Sequence, residues 1–256
     1  LVGHGPLALR AWWRRRMPET ERFEKARDAG LEAEAGILLG SAWRLASEHR
    51  TRLAAVLTAV FAVAAGSSAA DFLSVKFLQS EHGWTASGLS ALYLVGGAAA
   101  ICGGPLAGRL SDRRGRRGSS VVFSVGLALV AWCFFGGQGF VLAPLWALLV
   151  FFNLGTDVLL ATYGAELFPT RLRATALGIR MLVATLGGAL GLALESVVYG
   201  WTGSHGGAVM LLTGLVLVAP VVILGFLPET AGRCLEDIAP DRDSTSPAPG
   251  LVRRTT

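Results

Sequence analysis

Asp71, Asp157, Arg180 and Glu195 each stand inside a stretch of residues that is otherwise almost wholly apolar. A charge in such surroundings costs free energy unless a partner compensates it, so these residues are the first candidates for holding a proton, an ion or a polar solute. Asn153 and Asp157 are four residues apart and share one helix face. Counted at 1.5 Å per residue from the arginine-rich ends of their segments, Asp157 lies about 14 Å deep and Arg180 about 10 Å. Opposite charges at similar depth on successive segments predict an ion pair lining a cavity. In it Arg180 binds a substrate carboxylate, or exchanges Asp157 for one; a static structural pair is the competing reading. Asp71, about 10 Å from the other end of its segment, is the leading candidate for a proton-titrating carboxylate, because burial disfavours its charged form. Its alternative is a pairing with Lys76. Glu195, about a turn from that same end, reads as a solvated vestibule residue.

No metal or redox chemistry stands out. Cys102, Cys133 and Cys234 are scattered and read as free thiols, and the four histidines make no ligand pattern. Neither set supplies the nucleophile and base of an intramembrane enzyme, so an enzyme and a bound cofactor are not expected. A nucleotide-binding G-x-x-x-x-G-K-[ST] run does not occur either.

The elements that must position these residues are six apolar segments of roughly the 20-residue length that crosses a bilayer. They run over 53–78, 86–108, 119–138, 141–166, 173–199 and 208–227. Hydrophobic residues make up 52% of the chain and charged ones only 16%, which excludes an ordinary soluble domain and predicts an all-α integral membrane protein. The formal charge of +5 is not a nucleic-acid signal, because the arginines cluster at the ends of apolar runs. Residues 1–52, the turn at 113–117, Arg171 and Arg173, and the tail after Arg233 all fall on one side. The positive-inside rule makes that side cytoplasmic, with both termini there and six crossings of a cell (inner or plasma) membrane. Residues 1–52 read as a cytoplasmic segment with surface helices, 53–227 as the bundle, and 228–256 as a cytoplasmic tail, partly disordered from Pro240. Trp84, Tyr199 and Trp201 fall at the outer ends, where amphipathic rings sit. Gly104-x-x-x-Gly108 and Gly187-x-x-x-Gly191 are candidate close-packing sites.

The turn itself reads Gly108-Arg109-Leu110-Ser111-Asp112-Arg113-Arg114-Gly115-Arg116-Arg117. It resembles the G-x-L-[AS]-D-[RK]-x-G-[RK]-[RK] signature of the major facilitator superfamily, with Arg109 and Arg114 in the free slots. The run from Glu166 through Pro169, Thr170 and Arg173 is similar to the E-x-x-P-T-x-x-R segment between the tenth and eleventh helices of sugar-porter-like and organic-acid-transporter-like members. Pro228-Glu229-Thr230-Ala231-Gly232-Arg233, followed by Leu235-Glu236, resembles their P-E-T-K-G-R-x-L-E ending, and Met17-Pro18-Glu19-Thr20 resembles the segment after the sixth helix. The resemblance therefore implies helices seven to twelve, the C-terminal half of a twelve-helix transporter. A chain that begins at Leu1 and not at methionine fits such a fragment.

From the resemblance follow a function and a set of gating residues. It implies a secondary transporter of a small metabolite, with an organic acid among the candidates, coupled to a proton or another ion and working by alternating access with the missing N-terminal half. It implies that Asp112 faces a neighbouring helix N-terminus and holds the cytoplasmic side shut. Glu166, with Arg113, Arg117 and Arg173, would form the adjacent charge relay beside Arg116 and Arg171. Gly108 and Gly115 would permit the sharp reversal, and the arginines would also anchor the turn to anionic lipid. Sugar porters carry paired glutamines on the seventh helix and G-P-x-x-W on the tenth; here stand Gly66-Ser67-Ser68-Ala69-Ala70-Asp71 and Ala143-Pro144-Leu145-Trp146. A sugar-porter-type activity is one alternative. An inactive or pairing half without transport of its own is another.

Overall fold

A computed structural model describes residues 31–232, the side chains from Gly40 onward. The surface helices expected before residue 31, the Met17–Thr20 segment, Cys234 and the tail from Arg233 lie outside the described residues. The chain divides into two compact units, Leu1–Trp43 and Arg44–Thr256. What is described of the first is the start of helix α1 (Leu31–Glu48).

The second unit is all-α among the described residues. Its helices are α2 (Arg50–Ser80), α3 (Ala86–Arg114), α4 (Arg116–Phe135), α5 (Leu142–Glu166, after a 3-10 turn at Gly139–Val141), α6 (Thr170–Thr202), α7 (His205–Thr213) and α8 (Val218–Phe226). A 3-10 turn at Gly214–Leu217 joins α7 to α8, so that His205–Phe226 makes one continuous path. Six of these paths are long and apolar enough to cross a membrane.

Helices α2, α3 and α6 outrun their apolar stretches because backbone groups at a membrane-embedded end need partners, and continuing the helix into the charged flanks supplies them. The stretch read as a loop shows the effect most clearly. Gly108 to Arg114 is helical, Gly108 meets nothing within 4 Å, and only Gly115 breaks the chain between α3 and α4. Its φ of 102° ends one helix and begins the next in a single residue, a backbone state that glycine alone adopts without strain. Elsewhere the ends are capped locally. Thr85 accepts from the Gly88 N–H and Ser204 from the Gly207 N–H, and Gly203 closes α6 in the left-handed conformation.

Helix α2 is the hub. Seventy-two per cent of its apolar window is buried, against 17% for α6, whose outward side is covered with leucine and valine. The core joins Val56, Leu78, Phe134, Leu149, Tyr163 and Ile223 from four helices. Close approach occurs where α6 crosses α2: a Cβ on Gly191 would fall 2.2 Å from the Ala65 carbonyl oxygen. The corresponding contact of α3 lies one residue before the expected Gly104–Gly108 pair. A Cβ on Gly103 would meet the Phe151 carbonyl at 2.8 Å, whereas Gly104 has ordinary contact with Val158.

Candidate functional site

One cavity of about 390 Å³ opens between α2, α5 and α6. Its polar lining is Ser67 and Asp71 from α2, Asn153 and Asp157 from α5, and Arg180 from α6; valine, leucine and alanine make up the rest. The helical phase explains the set. Ser67 and Asp71 are four apart, as are Asn153 and Asp157, so each pair projects from one face of its helix.

Two bridges cross the cavity. The Asn153 amide nitrogen donates to both oxygens of Asp71, 2.7 Å each. Arg180 donates through one terminal nitrogen to the Asp157 carboxylate, and to the Asp157 main-chain carbonyl at 3.0 Å. The guanidinium is buried while the Asp157 carboxylate faces the open space. Asp71 has a neutral partner and Asp157 a cationic one. Lys76, weighed above as the partner of Asp71, instead points to the bundle end and meets His205. Close by, the Trp146 indole donates to Ser74 at 3.1 Å, and the Ser74 hydroxyl donates to the Asp71 carbonyl at 3.0 Å. That run of bonds fixes the turn of α2 from which Asp71 projects.

At the arginine-rich end the structure brings together a different set from the expected relay. Arg116, not Arg113, Arg117 or Arg173, meets Glu166, with Nη2 donating at 2.8 Å and Nε at 3.2 Å. The same guanidinium reaches back one turn to Asp112 at 2.5 Å. Asp112 is therefore paired within its own turn, 61% exposed, instead of turned to another helix's N-terminus. The reason is the break at Gly115, which restarts the helical phase so that Arg116 lands between the two acids. Arg113 is exposed, and the buried Nε atoms of Arg117 and Arg173 have no hydrogen-bond partner among the described residues. Arg171 is exposed at the start of α6.

Glu229 completes this end. Its carboxylate accepts from the backbone N–H groups of Arg116 (2.7 Å), Arg117 (3.1 Å) and Ala231 (3.0 Å). It thus caps α4 from a segment more than a hundred residues away, at the helix end where a negative charge is favoured. Partial burial pushes the Glu229 carboxyl upward, but these N–H groups outweigh it and hold it below the ordinary carboxylate range. Thr230 donates to Glu166 at 2.6 Å, which ties the same segment to α5. Sequence reasoning recognised the Pro228–Gly232 run as a motif yet assigned it no contact. The lack of any capping side chain at Gly115 was the available signal that a cap must come from elsewhere.

Glu195 is not solvated. It is buried and bonded to His205 Nδ1 at 2.7 Å, because Gly203 turns the chain so that the first residue of α7 lies back over α6. Cys102 and Cys133 are exposed free thiols. Among the described residues no group of histidine, cysteine and carboxylate is placed to hold a metal ion.

The family model of the Major Facilitator Superfamily matches residues 3–192 and, in a second overlapping match, residues 56–242. Among curated proteins, Putative polyol transporter 2 of Arabidopsis thaliana is 40% identical over 89 residues. That stretch is 34% of this chain and 17% of the relative, so the similarity spans under a fifth of the plant protein.

Proposed function

The chain belongs to the Major Facilitator Superfamily, and from that premise we propose that it supplies helices seven to twelve of a secondary transporter. Its substrate is a small hydroxylated metabolite of the polyol class, moved by alternating access and coupled to a proton. The observation that carries this reading is the pair of bridges, Asp71 to Asn153 and Asp157 to Arg180, across one cavity in an apolar bundle.

Polar groups that face a cavity between apolar helices need partners whether or not a solute is present. Here the acids are satisfied internally when the cavity is empty, and carboxylate, amide and Ser67 hydroxyl are the groups that exchange hydrogen bonds with hydroxyls at little net cost. The name of the plant relative points the same way. An organic acid is the second reading, and Arg180 favours it: a substrate carboxylate would take the guanidinium while Asp157 turned away into the open space.

Asp71 suits proton coupling because neutral groups hold it, the Asn153 amide and the Ser67 hydroxyl. When its carboxyl gains a proton, the Asn153 side chain can turn over and accept through its oxygen, so both charge states keep a partner. The arginine-rich end, taken as cytoplasmic by the positive-inside rule, closes through Arg116, Glu166 and Glu229, and these contacts part when the site opens to that side. The exposed Arg113 and Arg114 of the turn face the anionic lipid of that leaflet.

The test is uptake by the full-length protein in liposomes, comparing polyols, sugars and organic acids with and without a proton gradient. Polyol uptake driven by the gradient, lost in Asp71→Asn while substrate exchange persists, is the expected result. Gradient-driven uptake confined to organic acids and lost in Arg180→Lys would install the second reading. An absence of uptake of any solute by correctly inserted protein would mean a bundle that does not transport.

A further inference from the structure

Lys76, His205 and Glu195 form an unbroken chain at the bundle end away from the arginine-rich turn, outside both the cavity and the network around Arg116. Lys76 Nζ is 3.2 Å from His205 Nε2, and His205 Nδ1 is 2.7 Å from Glu195 Oε1. They come from α2, α7 and α6.

The partners dictate where the imidazole proton sits. An ammonium has donors only, so Nε2 accepts from Lys76; a carboxylate accepts, so Nδ1 carries the hydrogen and donates to Glu195. His205 is thus neutral in this arrangement. A further proton can enter only at Nε2. There it occupies the lone pair that Lys76 uses and sets two cations face to face.

Which partner leaves follows from the remaining surroundings. Glu195 is buried with its carboxylate on the ring, and the Tyr199 ring stacks on the imidazole with centroids 4.4 Å apart. Both attract an imidazolium. Lys76 is exposed and its long stem can swing to water. Of the other ionisable groups at this end, His82 packs on Phe77, Glu81 is exposed, and α4 brings the thiol of Cys133; α7 itself has no other charged residue.

We propose that Lys76, His205 and Glu195 form a proton-operated latch: neutral His205 ties the end of α2 to α6 and α7, and a proton taken from solvent at Nε2 releases Lys76. Imidazole is the side chain whose charge ordinarily changes between about pH 5 and 8. Lys76 is five residues beyond Asp71, a rise of about 7.5 Å, so the latch acts on the free end of the helix that carries the acid held by Asn153. The geometry stands whatever solute the bundle moves.

The test uses the chain in lipid bilayers with isotope-labelled histidine rings, read by nuclear magnetic resonance at about pH 7.5 and about pH 5.5. The His205 signals are identified by their loss in His205→Gln. The expected result is a ring protonated at Nδ1 alone at the higher pH and at both nitrogens at the lower. Spin labels at Gln79→Cys and Trp201→Cys, with the three native cysteines replaced by serine, then report the latch mechanically. Their separation is expected to grow on acidification in the parent and to be independent of pH in Lys76→Met and in His205→Gln. An Nε2-protonated neutral ring at the higher pH, or the same pH-dependent separation in Lys76→Met, would overturn the proposal.

Discussion

The two ends of the bundle are fastened by different chemistry and through different helices. At the arginine-rich end, α3, α4, α5 and the segment after α8 meet through Asp112, Arg116, Glu166, Glu229 and Thr230. At the other end, α2, α6 and α7 meet through Lys76, Glu195 and His205. The first is a cluster of guanidinium, carboxylate and backbone N–H groups. The second runs through one imidazole. Between them, both bridges of the cavity cross from one helix set to the other, α2 to α5 and α6 to α5. Each end therefore holds its own group of helices, and the cavity's polar pairs join the two groups together with the Trp146–Ser74 and Trp132–Met210 bonds.

The largest break in that comparison comes from Arg116→Ala. It strands the partly buried Glu166 beside the exposed Asp112, and removing one partner of a largely buried pair such as Arg116–Glu166 costs roughly 3 kcal/mol. A lowered thermal midpoint in detergent reads it, with the far end's histidine signals unchanged. Gly191→Ala comes next and acts on the other helix set. The added methyl has no room against the Ala65 backbone, so α2 and α6 must separate at a cost of about 2 kcal/mol; the same melting experiment should show it, together with loss of the Lys76–His205 contact.

Glu229→Gln sharpens the contrast through pH. Because the folded carboxyl is held below its ordinary value, its contribution is present above the unfolded carboxylate pKa and is lost as pH falls through the lowered folded one. The parent's thermal midpoint should drop through that acid range, whereas the glutamine variant starts about 1.5 kcal/mol lower at neutral pH and drops less. His205→Gln is smaller, about 1 kcal/mol at neutral pH. Arg113→Gln changes exposed charge alone and should stay within about 0.5 kcal/mol; a larger loss would mean that the expected relay through Arg113 operates after all.

The six crossings were legible because apolar length alone decides them. Depth was legible too, since residue counts along a helix convert directly to distance, and it brought Asp157 and Arg180 level. Contacts between helices that are remote in sequence were not. Asn153 was read with Asp157, its neighbour on the same face, and its bond to Asp71 depends on which helix lies opposite. The choice of Arg116 over Arg113, Arg117 and Arg173 turns on the helical phase after Gly115, which a positive φ resets and no periodicity announces. Glu195 looked solvated from its position near a helix end. Only the reversal at Gly203 places an imidazole on it.

The single-residue joint at Gly115 also decides where this chain can be lengthened. At Gly83, which has a positive φ and open space around it, an epitope or a fluorescent domain can be spliced in without disturbing a neighbour. At Gly115 the Glu229 carboxylate sits where a side chain would begin, 2.6 Å from the position of a Cβ. One added residue there would displace the amide nitrogens of Arg116 and Arg117 from their acceptor and swing Arg116 away from Glu166. A reporter for watching this bundle in a living cell belongs on the face away from the arginines.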